Sequence, residues 1–110
     1  MHEVKAIIRP DRLESVLDAL HEIPDVPGIT VSTVTGYGSR QPPSTTGAIE
    51  YGHVTMTKLE VVVPDAILSN VLAHLRRAAT TGQPGDGKVF VTEVQQALRI
   101  RSSEEGTDAL

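Results

Sequence analysis

The sequence predicts an α+β sandwich, an antiparallel sheet with two helices on one face. Short apolar runs of strand type alternate with two segments of helical apolar spacing, in the order strand, helix, strand, loop, strand, helix, strand. Pro-Asp follows the first strand and again the third, at Pro10-Asp11 and Pro64-Asp65, so the chain has two similar halves. Two such halves form the split arrangement called ferredoxin-like. Because two helices cover only one face, we expect copies to associate through the other.

The first strand and first helix follow directly from the N-terminus. The strand spans residues 4–8 and stops at Arg9-Pro10. Asp11 is the predicted N-cap of the helix, and Glu14 three residues later completes a capping box. The helix ends near Ile23. Its apolar face consists of Leu13, Val16, Leu17 and Leu20.

A second strand and a long loop come next. The Thr- and Val-rich segment 29–35 is the predicted strand, and Gly36-Tyr37-Gly38 ends it. From Ser39 to about Thr57 the regular pattern is lost among prolines, glycines, serines and threonines. Loops of this length in a compact domain are usually functional or disordered, so we predict a mobile binding loop.

The second half repeats the plan of the first. Residues 58–63 form the predicted third strand, and Pro64-Asp65 opens a helix that stops before Gly82. Residues 89–91 form the fourth strand. The apolar face of this second helix consists of Ile67, Leu68, Val71, Leu72 and Leu75.

The last part of the chain carries weaker signals. We expect a helical turn over residues 94–97, a short strand over residues 98–101, and a polar, mobile tail over residues 102–110. With 110 residues the chain is one domain, residues 1–110.

Composition excludes several classes of function. The net charge of −4 and the scarcity of aromatic residues, one Phe, two Tyr and no Trp, argue against nucleic acid as a partner. No cysteine is present, which rules out disulfides and thiolate metal sites. The sequence has neither a signal-peptide pattern nor an apolar run long enough to insert into a membrane, so we expect a cytoplasmic protein.

The stretch TGQPGDGKVF, residues 81–90, is the strongest candidate site. Gly82, Gly85 and Gly87 free the backbone to turn its N–H groups onto one point, and Lys88 can complete an anion-binding nest. The spacing is not that of a P-loop. Taken alone, such a cluster is more often an ordinary turn between a helix and a strand.

Two arginines near the end of the chain strengthen the phosphate interpretation. Arg99 and Arg101 stand two apart in the predicted last strand, so both side chains would project to the same side. Together with Lys88 they would clamp a phosphate. The alternative is an ordinary solvated edge strand.

No catalytic or metal-binding constellation emerges from the remaining polar residues, and we predict that the chain is not an enzyme. The histidines lack metal-ligand spacing, the loop hydroxyls lack a neighbouring base, and the tail carboxylates resemble a solvated charge run. A small phosphoryl-handling enzyme remains the lesser alternative. These residues are His2, His21, His53 and His74; Ser44, Thr45 and Thr46; and Glu104, Glu105 and Asp108.

Nearly the whole chain resembles the PII signal-transduction family. The resemblance is carried by VKAIIRPDRLESVLDAL, GITVSTVTGYG, LEVVVPD, TGQPGDGKVFV and ALRIRSSEEG. It implies a homotrimer that binds ADP, AMP or ATP in clefts between subunits, with residues 81–88 as the B-loop. It also implies that residues 39–57 form a T-loop, which binds a target protein such as a transporter, an enzyme or a carboxysome-associated protein. The positions that match the family's nucleotide-binding residues are Ile7, Gly28, Thr30, Gly36, Tyr37, Gly38, Val62, Gly85, Asp86, Gly87, Lys88, Arg99 and Arg101.

The chain also departs from the family pattern. Ser39-Arg40 occupies the positions of an Arg-Gln pair, and Met56 occupies that of a lysine, both used by nitrogen-sensing members for 2-oxoglutarate. These departures argue against 2-oxoglutarate binding. The leading hypothesis is therefore an adenine-nucleotide sensor with bicarbonate held near Arg40, acting in inorganic-carbon metabolism. The alternative is a nitrogen-regulatory PII protein that senses ATP and 2-oxoglutarate. Modification of Tyr51 in the loop is a further hypothesis, beside packing of Tyr51 on the target.

Overall fold

The computed structural model describes residues 1–38 and 52–110. Predictions on Ser39, Arg40, residues 44–46 and Tyr51 lie outside this part. The four strands are β1 (His2–Ile8), β2 (Thr30–Tyr37), β3 (His53–Val63) and β4 (Gly87–Glu93), and the two helices are α1 (Leu13–His21) and α2 (Asp65–Ala79). Short 3-10 helices span Pro10–Arg12 and Gly106–Ala109.

The sheet has the strand order β2-β3-β1-β4, and each adjacent pair is antiparallel. Both helices pack on one face, and α1 contacts α2. This arrangement confirms the predicted ferredoxin-like α+β sandwich. The antiparallel register brings the end of β1, the start of β4 and the start of β3 to one end of the sheet, where Ile8 faces both Gly87 and Thr57.

The hydrophobic core lies between the sheet and the helices. Alternate residues of β1 and β3 face the helices, because successive strand side chains point to opposite faces. Val16 and Leu20 of α1 and Val71 and Leu75 of α2 fill the other side, as their helical spacing predicts. The buried strand residues are Val4, Ala6, Ile8, Leu59, Val61 and Val63.

The opposite face of the sheet combines charged side chains with the apolar side chains of Ile7, Val62 and Phe90. Lys5 lies directly across from Glu60 in the β1–β3 register. Lys5 Nζ is 3.9 Å from Glu3, and Lys58 Nζ is 3.5 Å from Glu60. The expected association of copies through this face stays a prediction.

The start of α1 differs from the prediction. Pro10 begins a 3-10 helix, and the N-cap residue of α1 is Arg12, without a side-chain cap hydrogen bond. The backbone N–H of Arg12 donates to the Arg9 carbonyl at 3.0 Å, and that of Leu13 donates to the Pro10 carbonyl. Because the helix starts after Arg12 and no side chain caps it, the predicted capping box of Asp11 and Glu14 is wrong.

Strand β3 begins at His53 rather than Lys58. Residues 54–57 pair with residues 33–36 of β2, and this pairing extends the strand into the segment predicted as loop. Val54 and the two threonines 55 and 57 suit a strand once a neighbouring strand is present. The predicted loop boundary near Thr57 is therefore wrong, because β3 already begins at His53.

The C-terminal segment, residues 98–110, also differs from the prediction. Residues 94–97 form no helical turn, and residues 98–101 form no strand beyond an isolated bridge from Leu98 to Glu105. The backbone N–H of Gly106 donates to the Ala97 carbonyl at 2.8 Å, so the segment folds back on itself. Residues 102–110 thus contain a bridge and a 3-10 helix; their predicted mobility stays a prediction.

Candidate functional site

The B-loop lies between α2 and β4, and the side chain of Asp86 holds it together. This carboxylate accepts hydrogen bonds from the backbone N–H groups of Thr81 at 2.9 Å and Gly82 at 3.0 Å, and from the Thr81 hydroxyl. Arg9 Nε donates to it at 2.8 Å. The hydrogen bonds from Thr81 and Arg9 hold the pKa of Asp86 well below its usual range. The carboxylate is therefore ionised and bound within the turn.

All three B-loop glycines have backbone conformations that side chains rarely adopt. The φ angle is 84° at Gly82, 92° at Gly85 and 102° at Gly87. A Cβ at Gly87 would overlap the carbonyl oxygen of Ile7 in β1. The close approach of the turn to β1 thus requires glycine at position 87.

A first cleft, which we term the B-loop cleft, opens beside this turn. It has a volume of about 620 Å³. Arg9 and residues 84–88 form one wall, and Val54, Thr55 and Met56 of β3 form another. Lys88 is exposed at the start of β4, and its direct cross-strand partner in β1 is Ile7. The structure therefore brings Gly85, Asp86, Gly87 and Lys88 together at this cleft, with Ile7 beside Lys88; their role in binding stays a prediction.

The turn Gly36-Tyr37-Gly38 lies at the same end of the sheet. Gly36 pairs with Val54 of the B-loop cleft, and Tyr37 pairs with His53. The Tyr37 and His53 rings make an edge-on contact with centroids 5.9 Å apart. Tyr37 is 68% exposed.

A second cleft, the Gly28 cleft, lies at the other end of the sheet. It has a volume of about 310 Å³, and its lining includes Gly28, Thr30, Val62 and Leu110. Arg99 belongs near this end, because its Nη2 donates to the Leu110 carbonyl at 2.9 Å.

Arg99 is engaged within the C-terminal segment. Its Nε is 3.5 Å from the Ala109 carbonyl, and its Nη1 is 3.4 Å from the Glu104 carboxylate. Arg101 is exposed. Since residues 98–101 form no strand, the predicted strand alternation that would set both guanidinium groups on one side is wrong.

The two clefts are separated within one copy of the chain. Glu3 of β1 pairs with Val62, whereas Ile7 pairs with Lys88. The four residue steps from Glu3 to Ile7 span about 13 Å of strand. The predicted site residues therefore form two groups, one at each end of the sheet.

Arg9 is the site residue that sequence reasoning missed. The local sequence pattern shows Arg9 only as the residue before the proline that ends the first strand. Its partner Asp86 lies 77 positions away, so no local pattern connects the two. The available signal was the pair Thr81 and Asp86, whose spacing suits a side chain that accepts from the start of its own turn. Arg40, the proposed bicarbonate anchor, lies outside the described residues.

Over residues 1–38 and 52–110, no cluster of three His, Asp or Glu side chains is arranged to hold a metal ion. Within the same residues, neither helix combines the length and hydropathy needed to cross a membrane.

These features define a class of protein. It is a ferredoxin-like domain with a glycine-rich turn at one end of its sheet, next to an exposed lysine.

The chain belongs to the P-II family. The family model described as Nitrogen regulatory protein P-II matches residues 1–104. The chain is 42% identical to Nitrogen regulatory protein P-II of Azospirillum brasilense and 41% identical to Nitrogen regulatory protein P-II 1 of Escherichia coli K12, over all of both sequences in each case. The structure of B. subtilis GlnK matches with a TM-score of 0.87 at 34% identity, covering 99% of this chain and 97% of that one. The chain is thus a regulatory signal-transduction protein and not an enzyme, as predicted.

Proposed function

We propose that this protein is a nitrogen-regulatory P-II signalling protein that binds an adenine nucleotide between neighbouring copies of the chain. The observation that supports this most is the separation of the predicted site into two clefts at opposite ends of one sheet. A single copy offers a ligand only one of the two groups. In a closed ring, the B-loop cleft of each copy faces the Gly28 cleft of its neighbour. Each interface then completes one site.

The chemistry of the two clefts is complementary. The B-loop cleft offers a glycine turn and Lys88, which suit a phosphate group. The Gly28 cleft offers Thr30 and the partly buried Val62, with the cationic Arg99 attached to its rim through Leu110. Together the clefts supply cations for phosphates and, from Val54 and Val62, apolar surface for a base.

Exposed apolar side chains support the burial of further surface in an assembly. Large apolar side chains rarely stay open to water in clusters unless a partner covers them. Ile100 is 97% exposed, Leu98 62% and Phe90 52%. We propose the trimer that the family resemblance implies, with the segment containing residues 39–51 acting on a target protein. A transporter, an enzyme and a carboxysome-associated protein are the candidate targets.

This chain departs from nitrogen-sensing relatives at a position expected to bind a second ligand beside the nucleotide. Met56 is 7% exposed and lines the B-loop cleft, at the position where the resemblance expects a lysine for 2-oxoglutarate. A thioether cannot form an ion pair with a dicarboxylate. The family names favour nitrogen regulation, whereas this position favours a weak or absent response to 2-oxoglutarate. Bicarbonate near Arg40, and with it inorganic-carbon metabolism, stays a prediction.

Calorimetric titration tests the proposal. We expect ADP and ATP to bind with one site per chain, and AMP should be titrated in the same series. We expect 2-oxoglutarate to add little heat with or without Mg-ATP. Light scattering in the same buffer should give three copies. Absence of any nucleotide binding, or a monomer at all concentrations, would overturn the proposal.

The variant Met56→Lys distinguishes between the two candidates for a second ligand, 2-oxoglutarate and bicarbonate. If the missing cation is what weakens the response, Met56→Lys should gain 2-oxoglutarate binding in the presence of Mg-ATP. Tight 2-oxoglutarate binding by the unmodified protein would instead show that Met56 is no obstacle. Bicarbonate should be titrated into both proteins as the competing candidate.

A further inference from the structure

We infer that Arg9 is a positioning residue for the nucleotide phosphates, which holds the B-loop in its anion-binding shape by fixing Asp86. The inference rests on the proposed nucleotide site and adds a residue that the family resemblance did not supply. Arg9 does not need to touch the ligand in this role.

The contacts of Arg9 link the end of β1 to both sides of the turn. Its Nε donates to Asp86 Oδ1 at 2.8 Å, and its Nη2 donates to the Pro84 carbonyl at 2.6 Å. The two acceptors flank Gly85, and a Cβ at Gly85 would lie 3.6 Å from Arg9 Nη2. The guanidinium group therefore sets the path of the backbone at residues 84–86.

Asp86 connects the backbone held by Arg9 to the start of the loop. Its second oxygen accepts from the backbone N–H groups of Thr81 and Gly82, so residues 81–86 close into a ring. Both partners are partly buried, with side-chain exposures of 31% for Arg9 and 26% for Asp86. Partial burial limits the competition from water that weakens exposed ion pairs.

The charge of Arg9 matters as well as its geometry. An unpaired carboxylate at Asp86 would repel a phosphate bound to the neighbouring Gly87 and Lys88. Arg9 neutralises that carboxylate, so the field that a phosphate meets is that of Lys88 and the backbone N–H groups. Two losses would follow from its removal, a looser turn and an exposed negative charge.

An arginine suits this position better than a lysine. The planar fork of the guanidinium group reaches the carboxylate through Nε and the carbonyl through Nη2 at the same time. An ammonium group has the charge but not this fixed geometry. Arg9→Lys should therefore retain the neutralisation and lose part of the positioning.

The chain provides a matched control in Arg12. Arg9 precedes the short 3-10 helix after β1 and Arg12 ends it, and the Nε and Nη2 of Arg12 donate to the Ala78 carbonyl at 2.9 and 2.6 Å. Arg12 holds the end of α2, where free carbonyls need donors, and has no bond to residues 81–88 among the contacts described. Both residues anchor the same corner of the fold, but only Arg9 reaches the turn.

The experiment compares Arg9→Met, Arg9→Lys and Arg12→Met in the full chain by calorimetric titration with ADP and ATP. Arg9→Met should weaken nucleotide binding roughly tenfold, because it removes two charge-assisted hydrogen bonds from the turn. Arg9→Lys should lie between Arg9→Met and the unmodified protein. Arg12→Met should leave the affinity within about twofold while lowering the melting temperature by a few degrees.

Hydrogen exchange of the Thr81 and Gly82 amides supplies a readout that a general loss of stability would not reproduce. Arg9→Met should speed their exchange more than that of the core amides, whereas Arg12→Met should not. Equal nucleotide affinity in Arg9→Met and the unmodified protein would overturn the inference, as would an equal loss in Arg12→Met. If the unmodified protein itself binds no nucleotide, the proposed function fails, and the exchange measurement still decides whether Arg9 orders the turn.

Discussion

The B-loop and the C-terminal segment are both proposed to place cations on the phosphates of one ligand, but they are built differently. In the B-loop the backbone itself has a special conformation, with positive φ at Gly85 and Gly87, and Asp86 ties its two ends together. The C-terminal segment has one isolated bridge, from Leu98 to Glu105, and exposed side chains.

The two regions illustrate two ways of forming an anion site, one through backbone conformation and one through a charged side chain. In the B-loop, hydrogen bonds to Asp86 fix the backbone at Thr81 and Gly82, so the contribution of this loop is sensitive to backbone changes. The C-terminal segment offers the side chain of Arg99, about half of which is exposed, so its contribution depends on the guanidinium group and is screened by salt. Substitutions should therefore act on shape in the first region and on charge in the second.

The largest effect is expected for Gly87→Ala. The new Cβ would overlap the Ile7 carbonyl oxygen, and the φ of 102° is unfavourable for alanine. We expect unfolding free energy to fall by more than about 3 kcal/mol and nucleotide binding to be lost. Gly82→Ala is the control, since Gly82 has a φ of 84° but open space around it; it should cost about 1–2 kcal/mol. Equal denaturation midpoints for the two variants would contradict the steric argument.

Removal of the cations should have the next largest effect. Lys88→Ala and Arg99→Ala should each weaken ADP binding about ten- to a hundredfold, because each loses a charge-assisted contact to phosphate. Neither should unfold the domain, because neither side chain is buried in the core. Titration at two salt concentrations should show a smaller salt dependence in both variants. Unchanged affinity in both would remove these residues from the proposed site.

A pH-dependent effect is expected at Asp86. Its pKa is low in the folded protein because Thr81 and Arg9 donate hydrogen bonds to the carboxylate, whereas the ordinary value is 3.8. The resulting stabilisation is fully present above the ordinary value and is lost as the pH falls below 3.8 toward the folded pKa. The difference in melting temperature between the unmodified protein and Asp86→Asn should therefore shrink from about pH 5 downward. A difference independent of pH would show that the charge of Asp86 is not involved.

The smallest effect is expected in the C-terminal segment. Glu104→Gln removes the carboxylate that lies 3.4 Å from Arg99 Nη1, in a pair whose side chains are about half exposed. Such pairs contribute roughly 0–1 kcal/mol, so thermal stability should change little. ADP affinity should rise slightly, because Arg99 keeps its charge and loses a competing anion. A large loss of stability would mean that this segment is held as firmly as the B-loop.

Much of the fold follows from periodicity along the chain. The apolar faces of α1 and α2 and the alternation in β1 are local patterns, and the structure buries Val16, Leu20, Val71 and Leu75 as expected. The N-terminus of α2 at Asp65 was also predicted, because Pro64 cannot continue a preceding strand but suits a helix start.

The errors arose where distant partners decide the outcome. Residues 53–57 extend β3 because β2 pairs with them, which outweighs a weak local pattern. Residues 98–101 remain irregular because β4 stops at Glu93 and no further strand pairs with them in the described part of the chain. The separation of the site into two clefts depends on the β1 register, and the bond from Arg9 to Asp86 depends on the packing of the whole domain, so neither has a local signature.

The pairing of Tyr37 with His53 has an evolutionary consequence. The β2–β3 register is fixed residue by residue from Thr30 opposite Glu60 to this aromatic pair. The segment between Tyr37 and His53 lies outside this ladder. We expect substitutions, insertions and deletions in that segment to leave the strands at the B-loop cleft in place, because connecting segments tolerate such changes better than the elements they connect. A lineage could therefore acquire new protein partners without rebuilding the domain that responds to the ligand.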